Sequence, residues 1–226
     1  MDQKLLIPGA IILAGVIVAG AVWYSNLPKN PLLGKEGKGE VVKESAASDA
    51  LKIQKSDFVL GSPAAKVAII EYGDFQCPFC GRFFQAAEKQ IIETYVKTGK
   101  AAFVWRDFAF LGEESFRAAE AARCAGEQGK FWDYHDKLFN NQKGENEGAF
   151  SDQNLKRFSK ELNLDEAKFN SCFDSGKFRK QIEGTTAEGK SLGVSGTPAT
   201  FINGQMVSGA QPFAVFQKVI DEELKK

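Results

Sequence analysis

The chain has 226 residues, enough for one core-forming domain with accessory segments. Lys plus Arg and Asp plus Glu both number 29, and no basic run stands out, which argues against a nucleic-acid partner. Four cysteines permit two disulfides in an exported protein, whereas in the cytosol the same residues read as thiols or metal ligands.

The N-terminus bears on the compartment. Leu5 to Tyr24 is a run of twenty uncharged residues, about the length that spans a bilayer core. Trp23 and Tyr24 close it, where aromatics sit at headgroup level. Ala19-Gly20-Ala21 offers a small-x-small cleavage site, but the run continues past it and exceeds a usual signal h-region. With no polar face, a buried core helix is disfavoured. Residues 1–24 therefore read as an N-terminal transmembrane anchor, with a cleaved signal as the alternative. Lys4 precedes the run while Lys29, Lys35 and Lys38 follow it, a count that favours an inward-facing domain. The cysteine chemistry argues the opposite and sets the reading: an extracytoplasmic domain. Residues 25–56, with Pro28, Pro31, Gly34, Gly37 and Gly39 and then Ser45-Ala46-Ala47-Ser48, read as a flexible linker.

Globular patterning runs from 57 to 226. Val67-Ala68-Ile69-Ile70-Glu71-Tyr72, ended by Gly73-Asp74, predicts a buried strand. After the cysteine motif, Phe84, Ala87, Ile91 and Tyr95 share a helical face closed by Gly99. Ala102-Phe103-Val104-Trp105 predicts the next strand, completing a βαβ unit with parallel pairing. From about 112 to 192 the pattern is helical and interrupted, with Ser151 and Asn163 read as N-caps, the latter backed by Glu166. Ala199-Thr200-Phe201-Ile202, the turn Asn203-Gly204 and Gln205-Met206-Val207 predict a hairpin. Pro212 then opens a last helix with Phe213, Phe216, Ile220 and Leu224 inward. The fold class is α/β: βαβ, a helical insert, then ββα.

Cys77-Pro78-Phe79-Cys80 falls directly after a buried strand and at a helix start. Two intervening residues let both sulfurs meet in one turn. The first sulfur then lies where free N–H groups and the helix dipole stabilise a thiolate, the attacking species in disulfide exchange. Cys77 is thus the exchanging nucleophile and Cys80 the resolving thiol. Pro78 suits the first turn because its missing N–H leaves nothing unsatisfied there. Zinc would want a second C-x-x-C or paired histidines, and the chain has one histidine, so no metal is expected. An inert staple is the other alternative, although so small a loop constrains little chain.

Glu71-Tyr72-Gly73-Asp74-Phe75-Gln76-Cys77-Pro78-Phe79-Cys80 resembles the DsbA-like branch of the thioredoxin superfamily. Ala121-Ala122-Arg123-Cys124-Ala125-Gly126-Glu127, Gly193-Val194-Ser195-Gly196-Thr197-Pro198-Ala199 and Phe201-Ile202-Asn203-Gly204 agree with it in order and spacing, over about residues 57 to 225. The resemblance is to the single-domain, often membrane-anchored bacterial members. It implies a thioredoxin fold and a cis-proline at Pro198 facing the cysteines. Thr197 would then offer its backbone to a substrate strand while Pro198 shields the sulfurs. Glu71 matches the buried acid of that fold, which relays a proton to or from Cys80. Read without the resemblance, Glu71 is equally a salt-bridged or edge-exposed strand residue. Asp74 reads as a capping or loop residue, and His135 as a packing or helix-surface residue among Phe131, Trp132, Tyr134 and Leu138.

Some relatives carry a second, structural disulfide in the insert, so the resemblance supports a Cys124–Cys172 bridge, with two buried free thiols as the alternative. One departure matters: Phe79 stands where strongly oxidising members have histidine, so the Cys77 thiolate should be less stabilised and the disulfide less oxidising. The expected activity is dithiol oxidation of reduced exported proteins. Re-oxidation would come from a quinone-linked membrane thiol oxidase, with no cofactor bound to this chain. Within the class the rival is a reductase or isomerase, although no dimerisation domain is evident in residues 25–55. The rival outside the class is a non-catalytic binding module on the same fold.

Overall fold

The computed structural model describes residues 49–226. The apolar run Leu5–Tyr24 and most of the expected linker lie outside the described residues. Among the described residues no helix is long and apolar enough to cross a membrane.

The apolar, β-branched runs form the sheet. Strand β1 is Phe58–Leu60, β2 is Val67–Gly73 and β3 is Ala101–Asp107. β4 is Ala199–Ile202 and β5 is Gln205–Ser208, and the spatial order is β1-β3-β2-β4-β5. β2 and β3 run parallel, with Val67 opposite Ala101 and Glu71 opposite Trp105; the remaining pairs are antiparallel. A parallel pair at the centre needs cover on both faces, which is why β2 and β3 read as continuous apolar runs rather than alternating ones.

Helix α1 runs from Pro78 to Val96, α-helical over Pro78–Phe83 and Lys89–Ile91 with wide π-type turns over Phe84–Glu88 and Ile92–Val96. With α7, Phe213–Lys225, it covers the sheet face that carries Val67, Ile69 and Phe103, burying Phe83, Ala87, Ile91, Phe216 and Ile220. The opposite face, with Ile70, Tyr72, Val104 and Phe201, packs against Phe108, Val194 and Leu192. Asn203 and Gly204 both take positive φ, as the tight hairpin turn requires.

Five helices form the insert: α2 Glu113–Gly126, α3 Phe131–Asn140, α4 Asp152–Glu161, α5 Glu166–Asp174 and α6 Arg179–Ser191. Their core is aromatic and continuous with the Cys80 end of the sheet: Phe131, Tyr134, Phe158, Phe169 and Phe173 share one cluster with Phe75, Cys80 and Trp105. Cys124 on α2 and Cys172 on α5 are joined by a disulfide.

Two local expectations change. Asn163 does not cap α5: it sits at φ 56 just past the end of α4, a left-handed helix terminus that Asn tolerates. Asp165 caps α5 instead, its carboxylate accepting from the Lys168 N–H at 3.1 Å. Residues 49–56, expected as the linker's end, are fastened to the sheet by Arg106, which is buried on β3. Its guanidinium donates to the Lys52 carbonyl at 2.8 Å and to both oxygens of Asp57 at 2.9 and 3.0 Å, and bonds the Ala50 carbonyl as well.

Candidate active site

Side chains alternate across a strand, so Ile69, Glu71 and Gly73 share the face of β2 that looks toward α1. The chain leaves β2 at Gly73, turns through Asp74–Gln76, and enters α1 at Cys77, whose extended backbone (φ −67, ψ 120) makes it the residue capping the helix start. Cys80 follows one turn inside, fully buried, whereas Cys77 retains 5% exposure. They are the two free thiols among the described residues. Pro78 occupies the first helical position, and Phe79 is 53% exposed with the Arg82 guanidinium 4.7 Å from its ring centre.

Across from the pair, the Thr197-Pro198 peptide is cis and the Cys77 thiol lies 3.4 Å from the Thr197 carbonyl, to which it can donate. That contact favours the protonated sulfur, but it is outweighed. A hydrogen bond from the Cys80 thiol, opposed by burial and aided by the Cys80 and Phe79 N–H groups, lowers the Cys77 pKa to about 6. Cys80 moves the other way: burial, the neighbouring Cys77 sulfur and the Glu71 carboxyl all push its thiol well above the ordinary range.

Glu71 is fully buried beside the thiols, and neither of its carboxyl oxygens has a hydrogen-bond partner among the described residues. Burial, then the nearby Glu88 and Cys77, raise its pKa well above the ordinary carboxyl value. Opposite it on β3, the Trp105 indole N–H is committed to Asp107 at 2.8 Å and donates nothing to Glu71.

The loop ahead of Cys77 is held by Asp74 and by two glutamines, Gln76 and Gln142, that the sequence reading did not single out. Asp74 accepts from the Gln76, Phe110 and Leu111 N–H groups at 2.8, 3.0 and 3.3 Å, a loop role in keeping with its position. Gln76 is buried and donates to Ser115 Oγ at 2.9 Å, while its carbonyl accepts from the Asn146 N–H at 2.6 Å. Gln142, in the connection after α3, donates to the Phe75 and Cys77 carbonyls at 2.8 and 2.9 Å. A Cβ at Gly81 would collide with that Gln142 amide, so the glycine makes room for the clamp. Glu88, buried beside Glu71, was missed, and His135, read as a packing or surface residue, is buried among aromatic rings. Cys124 and Cys172 bond to each other within the insert rather than joining the dithiol.

A βαβ–ββα sheet with a dithiol at the start of its first helix is the architecture of the thioredoxin family, whose model matches residues 54–222. The chain belongs to that family, in its DsbA-like branch of thiol–disulfide oxidoreductases. It is 28% identical to a probable disulfide bond formation protein D of Bacillus cereus, over 100% of this chain and 99% of that protein. Its fold matches oxidised BdbD from Bacillus subtilis with TM-score 0.71 and 26% identity, over 76% of this chain and 95% of that one. It matches alpha-DsbA1 of Wolbachia pipientis with the same score and identity, over 79% and 96%.

Proposed function

We propose that the protein is an extracytoplasmic dithiol oxidase that passes a Cys77–Cys80 disulfide to reduced exported proteins. The observation that carries this reading is the placement of the two sulfurs: Cys77 caps the start of α1 and keeps some exposure, which goes with a pKa lowered to about 6, while Cys80 is fully enclosed one turn inside, where burial pushes its thiol up. A sulfur stable as thiolate leaves readily, so a disulfide that releases Cys77 gives up its oxidising equivalents easily.

The steps balance as follows. A substrate thiolate attacks Cys77 of the enzyme disulfide; the Cys77–Cys80 bond breaks, and Cys80 leaves with the electron pair and takes a proton from Glu71. The second substrate thiolate then attacks its partner sulfur in the mixed disulfide, releasing Cys77 as thiolate. The substrate has lost two electrons and two protons; Glu71 recovers one proton from solvent, so that one proton equivalent ends on Cys80 and the other in solvent. In this reading the Thr197 backbone pairs with the substrate strand, Pro198 shields the sulfurs, and the exposed Phe79 meets the substrate beside them. Leu5–Tyr24 would anchor the chain in the membrane with the domain outside, near a quinone-linked thiol oxidase that restores the disulfide.

Oxidative refolding of a reduced, unfolded disulfide protein tests the direction of electron flow. The oxidised wild type accelerates recovery of native disulfides, and Cys77→Ser abolishes the acceleration. Reduction of insulin disulfides with no gain in refolding would replace the oxidase reading by a reductase.

A further inference from the structure

Glu88 and His135 are buried, titratable and unused by the steps above. Glu88 lies on the stripe of α1 that runs Cys80, Phe84, Glu88, one turn at a time, and so faces the insert rather than solvent. Glu71 stands beneath the same stripe on β2 and feels the Glu88 charge. His135 comes from α3, boxed by Phe75, Phe84, Trp105, Trp132 and Phe139 with ring centres 4.9 to 5.7 Å away. Its Nδ1 lies 3.0 Å from the carboxylate of Asp136, whose side chain is 58% exposed.

Both Glu71 oxygens, Glu88 Oε2 and His135 Nε2 have no hydrogen-bond partner among the described residues. Buried polar atoms rarely stay unpaired without a functional reason. Glu88 also lines a surface cavity of about 550 Å³, together with Lys89, Trp132 and Asp136. The stripe therefore links the inner thiol to the surface through groups that can each accept and release a proton.

We propose that Glu88 and His135 are positioning residues of a proton route joining Glu71 to solvent at Asp136 and the adjoining cavity. The inference rests on the reading of Glu71 as the proton partner of Cys80. When Cys80 leaves the disulfide and takes the Glu71 proton, Glu88 returns one to Glu71, His135 replenishes Glu88 through Nε2, and His135 is refilled at Nδ1 from Asp136 and solvent. When Cys80 must attack a mixed disulfide, the same proton travels outward. Each transfer needs hydrogen-bond reach or one intervening water. The charged and titratable groups facing Glu88 are His135, Asp136, Lys89 and Glu71; with burial the largest influence, they leave its pKa at about 7, close to the pH at which it would work.

The test follows glutathione release from a Cys77–glutathione mixed disulfide in the full chain between pH 5 and 9, a step that requires Cys80 to lose its proton. Glu88→Gln slows release at pH 7 by about a hundredfold, the lower end of what a lost proton transfer carries, while the Cys77 alkylation midpoint stays in place. Imidazole or formate, entering through the cavity, restores the rate of Glu88→Ala. His135→Gln, also slower, reports independently if the Glu88 variants fold poorly. Rates within twofold of wild type for both Glu88→Gln and His135→Gln overturn the route, as does a slow Glu88→Ala that no small acid restores. Glu71→Gln separates the two layers: if it too is unimpaired, the reading of Glu71 fails; if it alone is slow, only the route fails.

Discussion

Cys77 and Cys80 sit within one helical turn of each other, yet their thiols ionise in opposite directions. Position explains the split, because Cys77 caps the helix and receives hydrogen bonds, while Cys80 is wholly enclosed beside a carboxyl. The pH dependence follows with a definite sign. The folded pKa of Cys77 is depressed from 9.0 to about 6, so its stabilisation of the reduced protein is complete above the unfolded value and is lost as pH falls through about 6. Iodoacetamide labelling of the reduced wild type should therefore rise with a midpoint near 6, and the melting advantage over Cys77→Ser should vanish toward that pH; a labelling midpoint near 9 would refute this. The cysteines were legible because a C-x-x-C after a buried strand is a local pattern, whereas Glu71 was singled out only by the family resemblance. Glu88 was not, since its chain neighbours Lys89 and Gln90 are polar and the helix that buries it comes from the distant insert. His135 was read as a packing or surface residue; its full burial leaves only the interior alternative.

Among the elements, β2, β3 and the hairpin follow from apolar runs and Asn203-Gly204, and the last helix from Pro212 and its inward stripe; the three-residue edge strand β1 was not expected. Helix α1 departs from simple periodicity: its two wide turns shift the stripe, so that Phe84 joins the insert cluster while Ala87 and Ile91 face the sheet. Local capping was misassigned by two residues because Asn163 and Asp165 are both competent caps, and only the path of the chain between α4 and α5 decides which one does it. Opposite outcomes check the assignment in urea denaturation. Asp165→Ala should lower the urea midpoint, as loss of a helix N-cap does. Asn163→Gly, at a left-handed position that glycine adopts without strain, should leave stability unchanged or slightly raised.

For the whole molecule, the insert both covers the site and clamps its loop through Gln76 and Gln142. The sequence indicated that an insert exists and where it lies; the clamp could not be read, because Gln142 is a lone polar residue in a connection and gains meaning only from the Phe75 and Cys77 carbonyls it meets. The Cys124–Cys172 bridge spans 48 residues. Closing a loop of that length stabilises by about 4 kcal/mol in the chain-entropy picture, and the Cys124→Ala, Cys172→Ala double variant should lose a comparable amount in chemical denaturation.

The two bridged cysteines enclose His135, Gln142 and Asn146 within one covalent ring. If α3 and the connection after it open locally, these three residues stay leashed to α2 and α5 instead of diffusing with a free segment. Their high local concentration makes return to the catalytic loop a short-range event. A thiol–disulfide oxidoreductase thereby gains an insert that can open locally and still return to its place over the site.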